Sequence, residues 1–325
     1  MDPELAAALD GMPYVGLSDP IKARASMRAL VDALDEPTTT GADADVEDRT
    51  IPGPPGAPDV PVRIYRPRGT TRPAPVLVYF HGGGFVTGDL ENEHGRCLTF
   101  AGEDGIAVVS VGYRLAPEHP FPAGFADCYT ATVWAYEHAA EFGGDPERIA
   151  VGGGSAGGAL AAAVALRARE AGGPSLVFQM LLYPVLDNRM DTPSMRTFTE
   201  PPLFNRGDVE HMWRHYLGGR AGARARVPAY AAPARAADLH GLPPAYMLIA
   251  ELDPLRDEDF AYAQRLIVSG VPTEVHHVPG ACHGFDGIMS ARLGRLAFAE
   301  QRAVLRRNLH GRPARTTGQQ HRLSD

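Results

Sequence analysis

A serine within a run of glycines is the residue with the clearest chemical potential. The segment AVGGGSAGGAL at 150–160 has two incompatible interpretations. From Gly152, it has the Gly-x-Gly-x-x-Gly spacing of a dinucleotide-binding turn. From Gly153, it has the Gly-x-Ser-x-Gly spacing of a nucleophile elbow around Ser155. The first interpretation predicts redox chemistry, the second predicts hydrolysis by a serine nucleophile, and a third is that the glycines only make a tight turn.

The surrounding sequence argues against a dinucleotide site. Such a fingerprint opens the first βαβ unit, and an acidic residue about 20 positions later holds the ribose. Here at least three predicted strands precede the glycines, and an apolar strand at 176–183 lies where the acid should be. A strand before Ser155 and a helix at 156–171 instead match the strand–turn–helix context of an elbow, whose tightness requires small neighbours such as Gly153 and Gly157.

A serine hydroxyl is a weak nucleophile, so it needs a base, a group that orients the base, and donors for the oxyanion. In α/β folds with this turn, the chain order is serine, acid, histidine. Asp253 follows the strand 245–250 and is held extended by the proline after it, and His283 lies in a glycine-flanked loop after the strand 273–278. We therefore predict Ser155 as nucleophile, His283 as base and Asp253 as its orienter.

Three consecutive glycines in the segment HGGGF at 81–85 predict the oxyanion donors. Glycines let backbone N–H groups approach a ligand closely, as in the HGGG loops of lipases and esterases. A phosphate-binding loop is the competing interpretation, but its Gly-Lys-Ser/Thr ending is missing from this segment. We predict an oxyanion hole formed by the N–H groups of Gly83, Gly84 and Ala156.

Apolar, β-branched runs alternate with helical segments along much of the chain. Strands are predicted at 60–67, 76–80, 106–111, 148–152, 176–183, 245–250 and 273–278. Helices are predicted at about 92–103, 125–142, 156–171, 258–269 and 287–309. Because most strands are continuously apolar, the fold class is α/β, with a mostly parallel central sheet that helices flank on both faces.

Two segments outside this rhythm predict a helical cap over the sheet. The N-terminal segment carries apolar residues at the spacing of two amphipathic helices, and a polar, proline-rich segment after the fourth parallel strand contains a helix at 207–217. An irregular connection is expected at 36–58. The predicted divisions are an N-terminal cap part at 1–45, a first core part at 46–186, a cap insertion at 187–237, a second core part at 238–310 and a disordered tail at 311–325.

Composition excludes several classes of function. The 325 residues have a net charge of −8 without a basic cluster, which argues against nucleic acid or an anionic membrane as partner. Cys97, Cys128 and Cys282 are too far apart for a zinc or disulfide motif, and neither a signal peptide nor a membrane span is evident. A cytoplasmic protein that needs no metal or organic cofactor is predicted.

The motifs together resemble the bacterial hormone-sensitive-lipase-like esterases of the α/β-hydrolase superfamily. The chain is similar to their acetyl- and aryl-ester hydrolases, heroin esterase-like enzymes included. The blocks that carry the resemblance are HGGGFVTGD (81–89), YRLAPEHPFPA (113–123), GGSAGG (153–158), LPPAYMLIAELDPLRDED (242–259) and PGACHGF (279–285). The resemblance implies the α/β-hydrolase fold with a helical cap, and it implies the same triad and oxyanion donors.

One residue departs from the family pattern, since an aspartate usually precedes the nucleophile and Gly154 stands here. The change removes no member of the triad. The resemblance therefore implies hydrolysis of a small-molecule ester, with short-acyl or aryl groups, through an acyl-enzyme intermediate, and a homodimer is expected by analogy. An amidase or lactonase with the same triad is an alternative. A non-catalytic receptor of this fold is another, against which the intact Ser155, Asp253 and His283 argue.

Apolar side chains near these loops predict the substrate pocket. They would suit short acyl chains or aromatic esters, although ordinary core packing is the commoner fate of such residues. The predicted pocket residues are Phe85, Leu203, Phe204, Trp213, Tyr216 and Phe285.

Overall fold

An eight-stranded sheet forms the centre of the computed structural model, which describes residues 1–33, 44–200, 202–219 and 227–311. The strand order is β1-β2-β4-β3-β5-β6-β7-β8. The strands are β1 (Ala44–Ile51), β2 (Val60–Pro67), β3 (Ala74–Phe80), β4 (Ala107–Val111), β5 (Gly144–Gly154), β6 (Leu176–Leu182), β7 (Ala245–Leu252) and β8 (Thr273–Cys282). Strand β2 runs antiparallel to both of its neighbours, β1 and β4, and β3 to β8 are parallel to one another.

Helices cover both faces of the sheet. They are α1 (Pro3–Leu9), α2 (Pro20–Ala33), α3 (His94–Gly102), α4 (Ala123–Glu137), α5 (Ala156–Ala171), α6 (Pro193–Thr197), α7 (Arg206–Tyr216), α8 (Arg256–Val268) and α9 (Arg292–His310). Alternate side chains of each strand point to opposite faces. Val76 and Val78 of β3 accordingly join the core cluster under α4, α5 and α8, whereas Leu77 and Tyr79 join the one under α3 and α9.

The α/β-hydrolase fold is confirmed, and one strand differs from the sequence-based expectation. The irregular connection expected at 36–58 contains β1, which pairs with β2 in antiparallel register. Strand β1 reads ADVEDRTI and lies at the sheet edge with all but one of its residues at least partly exposed, so it lacks the apolar run by which the other strands were predicted. The disordered tail was predicted for residues that, from 312 onward, lie outside the described ranges.

The segment between α1 and α2 is joined to α7 through one aspartate. Asp208 of α7 accepts a hydrogen bond from the Tyr14 hydroxyl at 2.7 Å and another from the Leu17 N–H at 3.2 Å. His215 Nε2, two helical turns further along α7, lies 3.1 Å from the Leu17 carbonyl oxygen. The two segments predicted as cap therefore pack on each other, and their division from the core stays a prediction. None of the helices in the described ranges combines the length and apolar character that a bilayer crossing needs.

Candidate active site

Ser155 lies on a strained turn between β5 and α5. Its φ of 56° and ψ of −118° put a non-glycine residue in a region that side chains rarely adopt, and such strain persists only where the surroundings enforce it. Both flanking glycines are needed for this packing. A Cβ atom at Gly157 would lie 1.9 Å from the Phe80 carbonyl oxygen, and one at Gly153 would lie 2.4 Å from the same atom. The turn therefore packs directly on the end of β3, as the nucleophile-elbow interpretation requires.

The three predicted triad residues form one continuous hydrogen-bonded chain. His283 Nε2 lies 2.9 Å from Ser155 Oγ, and His283 Nδ1 lies 2.7 Å from Asp253 Oδ2. Asp253 is fully buried, and its other oxygen accepts the Leu255 N–H at 2.9 Å. The arrangement holds the imidazole with Nδ1–H toward the carboxylate, so that Nε2 can accept the serine proton. All three side chains stand at the carboxyl ends of β5, β7 and β8, where α/β sheets place their sites.

Two of the other acids after β7 hold a neighbouring segment. Asp257 accepts the Ser194 N–H at 2.7 Å, and Glu258 accepts the Leu186 N–H at 2.8 Å. Burial raises the pKa of Glu258 well above its usual range. Both carboxyls therefore bind the backbone of the segment that follows β6, and Asp253 is the acid that reaches the histidine.

The glycine loop after β3 lies beside the serine. A Cβ atom at Gly82 would lie 3.7 Å from Ser155 Cβ, while one at Gly83, where φ is 112°, would lie 2.1 Å from the Thr87 carbonyl oxygen. The N–H groups of Gly83 and Gly84 donate to no acceptor in the part of the chain that the structure describes. Ala156 is the first residue of α5, where backbone N–H groups have no intrahelical partner. These N–H groups can stabilise an oxyanion, and that role stays a prediction.

The block YRLAPEHPFPA holds this loop in place. The Tyr113 hydroxyl donates to the His81 carbonyl at 2.8 Å, and the two rings stack with 4.2 Å between their centroids. The Ala116 N–H donates to the Phe85 carbonyl at 2.8 Å. Burial lowers the pKa of His81 to about 4, so its ring is neutral at pH 7 and donates to the adjacent Gly82 carbonyl at 2.7 Å. The block therefore positions the glycines rather than the reacting atoms.

A cavity of about 220 Å³ opens above Ser155 and His283. The apolar side chains that line it are Met12, Val15, Leu17, Met27, Leu30, Val31, Leu203, Phe204, Ile288 and Met289. Phe204 also stacks on the His283 ring at a centroid distance of 4.5 Å. The space over the serine is thus closed mainly by the N-terminal segment, together with a few residues that precede α7 or follow the histidine.

Comparison with known proteins agrees with this geometry. A model of the alpha/beta hydrolase fold family matches residues 77–287. Esterase LipI of Mycobacterium tuberculosis is 43% identical over 294 residues, and carboxylesterase NlhH of the same species is 41% identical over 288, each match covering 88% of both chains. The structure titled bacterial heroin esterase has a TM-score of 0.92 and 44% identity, over 96% of this chain and 98% of that one. The chain belongs to the hormone-sensitive-lipase-like carboxylesterases.

The predicted pocket residues of this carboxylesterase divide into two groups. Leu203 and Phe204 line the cavity. The remaining four lie in the core and do not line the cavity; they are Phe85, Trp213, Tyr216 and Phe285. Phe85 is 2% exposed because it stacks on Tyr216 at 3.8 Å. The N-terminal lining was not predicted residue by residue, since helical spacing shows which side chains share a face but not what that face covers.

A charged network that sequence reasoning missed lies in the wall of the same cavity. Arg96 of α3 contacts Glu93 at 2.8 Å and Asp286 at 3.1 Å. Asp286 accepts a further bond from Gln301 Nε2 at 2.7 Å and one from the Tyr183 hydroxyl. Tyr183 follows β6, Glu93 and Arg96 lie at the start of α3, Asp286 lies in the histidine loop and Gln301 belongs to α9. Because these residues are far apart in the sequence, motif analysis did not show that they contact one another.

Tyr183 also occupies the space beside Gly154, the residue that departs from the family pattern. A Cβ atom at Gly154 would lie 3.4 Å from Tyr183 Cε2 and 3.5 Å from its hydroxyl oxygen. Since the Tyr183 hydroxyl already donates to Asp286, the carboxylate near this position comes from a different part of the chain. In this carboxylesterase a Cβ atom at position 154 would therefore lie in ordinary van der Waals contact with Tyr183.

Proposed function

We propose that this carboxylesterase hydrolyses short-acyl or aryl esters, with Ser155 as nucleophile, His283 as general base and Asp253 as the group that orients the base. The observation that carries the proposal is the unbroken chain of 2.9 and 2.7 Å contacts from serine to histidine to aspartate at the base of an apolar cavity. Such a chain activates a hydroxyl that would otherwise be a weak nucleophile.

In the acylation half-reaction, His283 Nε2 takes the proton as Ser155 Oγ attacks the acyl carbon. Negative charge then develops on the carbonyl oxygen, and the N–H groups of Gly83, Gly84 and Ala156 stabilise it because they are already oriented and cost no reorganisation. The imidazolium passes its proton to the leaving alcohol, which departs and leaves an acyl-enzyme.

In the deacylation half-reaction, water takes the position of the alcohol. His283 accepts a proton from the water as the oxygen attacks the acyl-enzyme, and a second tetrahedral intermediate forms against the same N–H groups. Its collapse returns the proton to Ser155 Oγ and releases the carboxylic acid. In both halves Asp253 keeps the imidazole in one tautomer and stabilises its transient positive charge.

The size and lining of the cavity support small substrates. About 220 Å³ closed by side chains such as Met12, Leu30 and Phe204 suits a short acyl chain or an aromatic ring better than an extended fatty acyl chain. A panel of p-nitrophenyl esters from acetate to palmitate, beside the matching anilides, tests this preference. We expect kcat/KM to be greatest for acetate or butyrate. Faster cleavage of palmitate or of an anilide would instead indicate a lipase or an amidase.

The nucleophile is tested by Ser155→Ala. Turnover of p-nitrophenyl acetate should fall by at least about 10⁴-fold while circular dichroism stays unchanged, because the variant keeps the fold but cannot form the acyl-enzyme. A fluorophosphonate probe should label the wild type and not the variant. Equal labelling of both proteins would mean that another residue is the nucleophile.

Two properties outside the active site stay predictions. We propose a cytoplasmic location, which fractionation of the native cells would test. We also propose a homodimer, which light scattering coupled to size-exclusion chromatography would test, and a mass equal to one 34.8 kDa chain would contradict it.

A further inference from the structure

The catalytic cavity has a charged pole in an otherwise largely apolar wall. Glu93, Arg96 and Asp286 line the same cavity as Ser155. Two carboxylates face one guanidinium, so the pole carries one net negative charge when both acids are ionised. The reaction proposed above uses none of these groups.

The unmatched negative charge of this pole belongs to Glu93. Arg96 is committed on all sides, since Nε donates to Glu93 Oε2, Nη1 donates to Gln301 and Nη2 contacts Asp286. Asp286 uses one oxygen for the Tyr183 hydroxyl and the other for Gln301 and Arg96. Glu93 has no cationic partner besides Arg96 among the described residues, and the buried Tyr79 hydroxyl is a neutral donor beside its carboxylate. The Glu93 side chain is 18% exposed, against 8% for Arg96 and 0% for Asp286.

Glu93 is also not required to neutralise Arg96. Asp286 already gives the guanidinium a fully buried carboxylate partner at 3.1 Å. A second carboxylate in the same low-dielectric wall is unfavourable, and burial accordingly raises the pKa of Glu93. The second acid therefore adds a negative charge that the ion pair of Arg96 and Asp286 does not need.

The kind of ligand follows from the charge. A partly desolvated carboxylate whose charge no cation matches is best compensated by a positively charged group. An anionic group would be repelled, and an apolar group would leave the charge uncompensated. We propose that Glu93 recognises an ammonium group on the substrate, so that amine-bearing esters are the preferred substrates of this cavity. The inference rests on the proposed function, because it assumes that the ester carbonyl is bound at Ser155.

A pair of esters that differ only in charge tests the proposal. One is the p-nitrophenyl ester of γ-trimethylammoniobutyric acid, and the other carries a tert-butyl group in place of the trimethylammonium group; homologues one methylene shorter and longer cover the unknown reach. We expect the wild type to prefer the cationic member of the best pair by about tenfold in kcat/KM. In Glu93→Gln that ratio should fall to about one. Glutamine can still accept from Arg96, and any loss that both esters share cancels in the ratio.

Glu91→Gln is the matched control. It removes the same charge two residues away, from a side chain that is 62% exposed and pairs with Arg63 outside this cavity. The control should keep the wild-type ratio. A second measurement does not depend on which side of the ester carries the charge. Butyltrimethylammonium should inhibit hydrolysis of p-nitrophenyl acetate competitively, with a Ki about tenfold higher in Glu93→Gln than in the wild type.

The possible failures are distinguishable. If the wild type shows no preference for the cationic ester and no inhibition by butyltrimethylammonium, the inference is overturned while the esterase mechanism stands. If Glu93→Gln keeps the preference, or if Glu91→Gln loses it equally, Glu93 is not the recognising group. If the wild type cleaves neither these esters nor p-nitrophenyl acetate, the proposed function itself fails.

Discussion

Asp253 and Asp286 are both fully buried carboxylates at the same active site, and they face different kinds of base. Asp253 lies 2.7 Å from His283, a base that can gain and lose a proton. Asp286 lies 3.1 Å from Arg96, whose positive charge is permanent. A carboxylate beside a titratable base can stabilise charge that appears only during a reaction. A carboxylate beside a permanent cation stabilises a single fixed arrangement. We therefore expect Asp253 to act on the reaction rate and Asp286 on the stability of the fold, although both are fully buried.

The two aspartates also differ in how they are held. Asp253 is positioned locally, because the N–H of Leu255, two residues later, donates to it at 2.9 Å. Asp286 is positioned by distant parts of the chain, since Tyr183 follows β6 and Gln301 belongs to α9. A locally held residue keeps its place when distant packing changes, whereas the second depends on the whole fold around it.

The largest effect is expected for Asp253→Asn. The amide cannot hold the catalytic tautomer of His283, so kcat for p-nitrophenyl acetate should fall by about 10⁴-fold. The free energy of unfolding in urea should change by less than about 1 kcal/mol, because size and the bond from Leu255 are kept. A rate within tenfold of the wild type would mean that Asp253 is not the orienting acid.

Asp253 and the other triad residues could be predicted from the sequence because local sequence patterns determine their positions. An elbow needs glycines next to Ser155, and parallel strands deliver Asp253 and His283 to one edge of the sheet. The fold was predictable for the same reason, since buried strands are apolar throughout. Strand β1 escaped because a polar strand at an edge has no such pattern.

The rest of the site could not be predicted because long-range packing decides it. Arg96 and Gln301 are 205 positions apart and contact each other in the buried network. Phe85 of the glycine loop and Trp213 of the cap were predicted as pocket residues, but both are buried in the core. Which side of a helix faces a cavity depends on the partner that packs against it, and a single sequence does not specify that partner.

Asp286→Asn should show the opposite pattern to Asp253→Asn. Asparagine replaces a fully buried charged acceptor by a neutral one, while Glu93 still compensates Arg96, so the free energy of unfolding should fall by about 1 to 3 kcal/mol. Because Asp286 does not touch the triad, kcat should fall by less than tenfold at a temperature where the variant is folded. Urea unfolding and initial rates on the same preparations measure both quantities. A large loss of kcat without loss of stability would mean that Asp286, like Asp253, acts in catalysis.

His81 is a third case, a buried base that forms no ion pair with any residue that the structure describes. Burial lowers its folded-state pKa to about 4, below the value of about 6.5 in an unfolded chain. Between these values the unfolded chain binds a proton that the folded protein does not, so stability is lost as the pH falls. The loss should be about 1.4 kcal/mol per pH unit, or about 2 to 3 kcal/mol from pH 6.5 to 4.5. Urea unfolding at several pH values should show a shallower dependence in His81→Asn.

The matched control for this pH dependence is His119→Asn, at an exposed histidine of the neighbouring loop. Other groups also titrate in this range, but they are common to all three proteins. The difference in slope between the wild type and His81→Asn therefore isolates the buried histidine. Equal slopes for the wild type and both variants would contradict a neutral, buried His81.

The smallest effects should separate the two kinds of aromatic residue near the cavity. Phe85 stacks on Tyr216 in the core, and Phe204 lines the cavity and stacks on His283. Phe85→Leu should therefore lower the free energy of unfolding by about 1 kcal/mol and leave KM for phenyl acetate unchanged, because a ring–ring contact is lost away from the substrate. Phe204→Leu should raise that KM by a few fold, since its ring is part of the surface that an aryl ester contacts, and should change stability less. If the KM effect followed Phe85 instead, the aryl group would have to bind on the side of the glycine loop where Phe85 stacks on Tyr216.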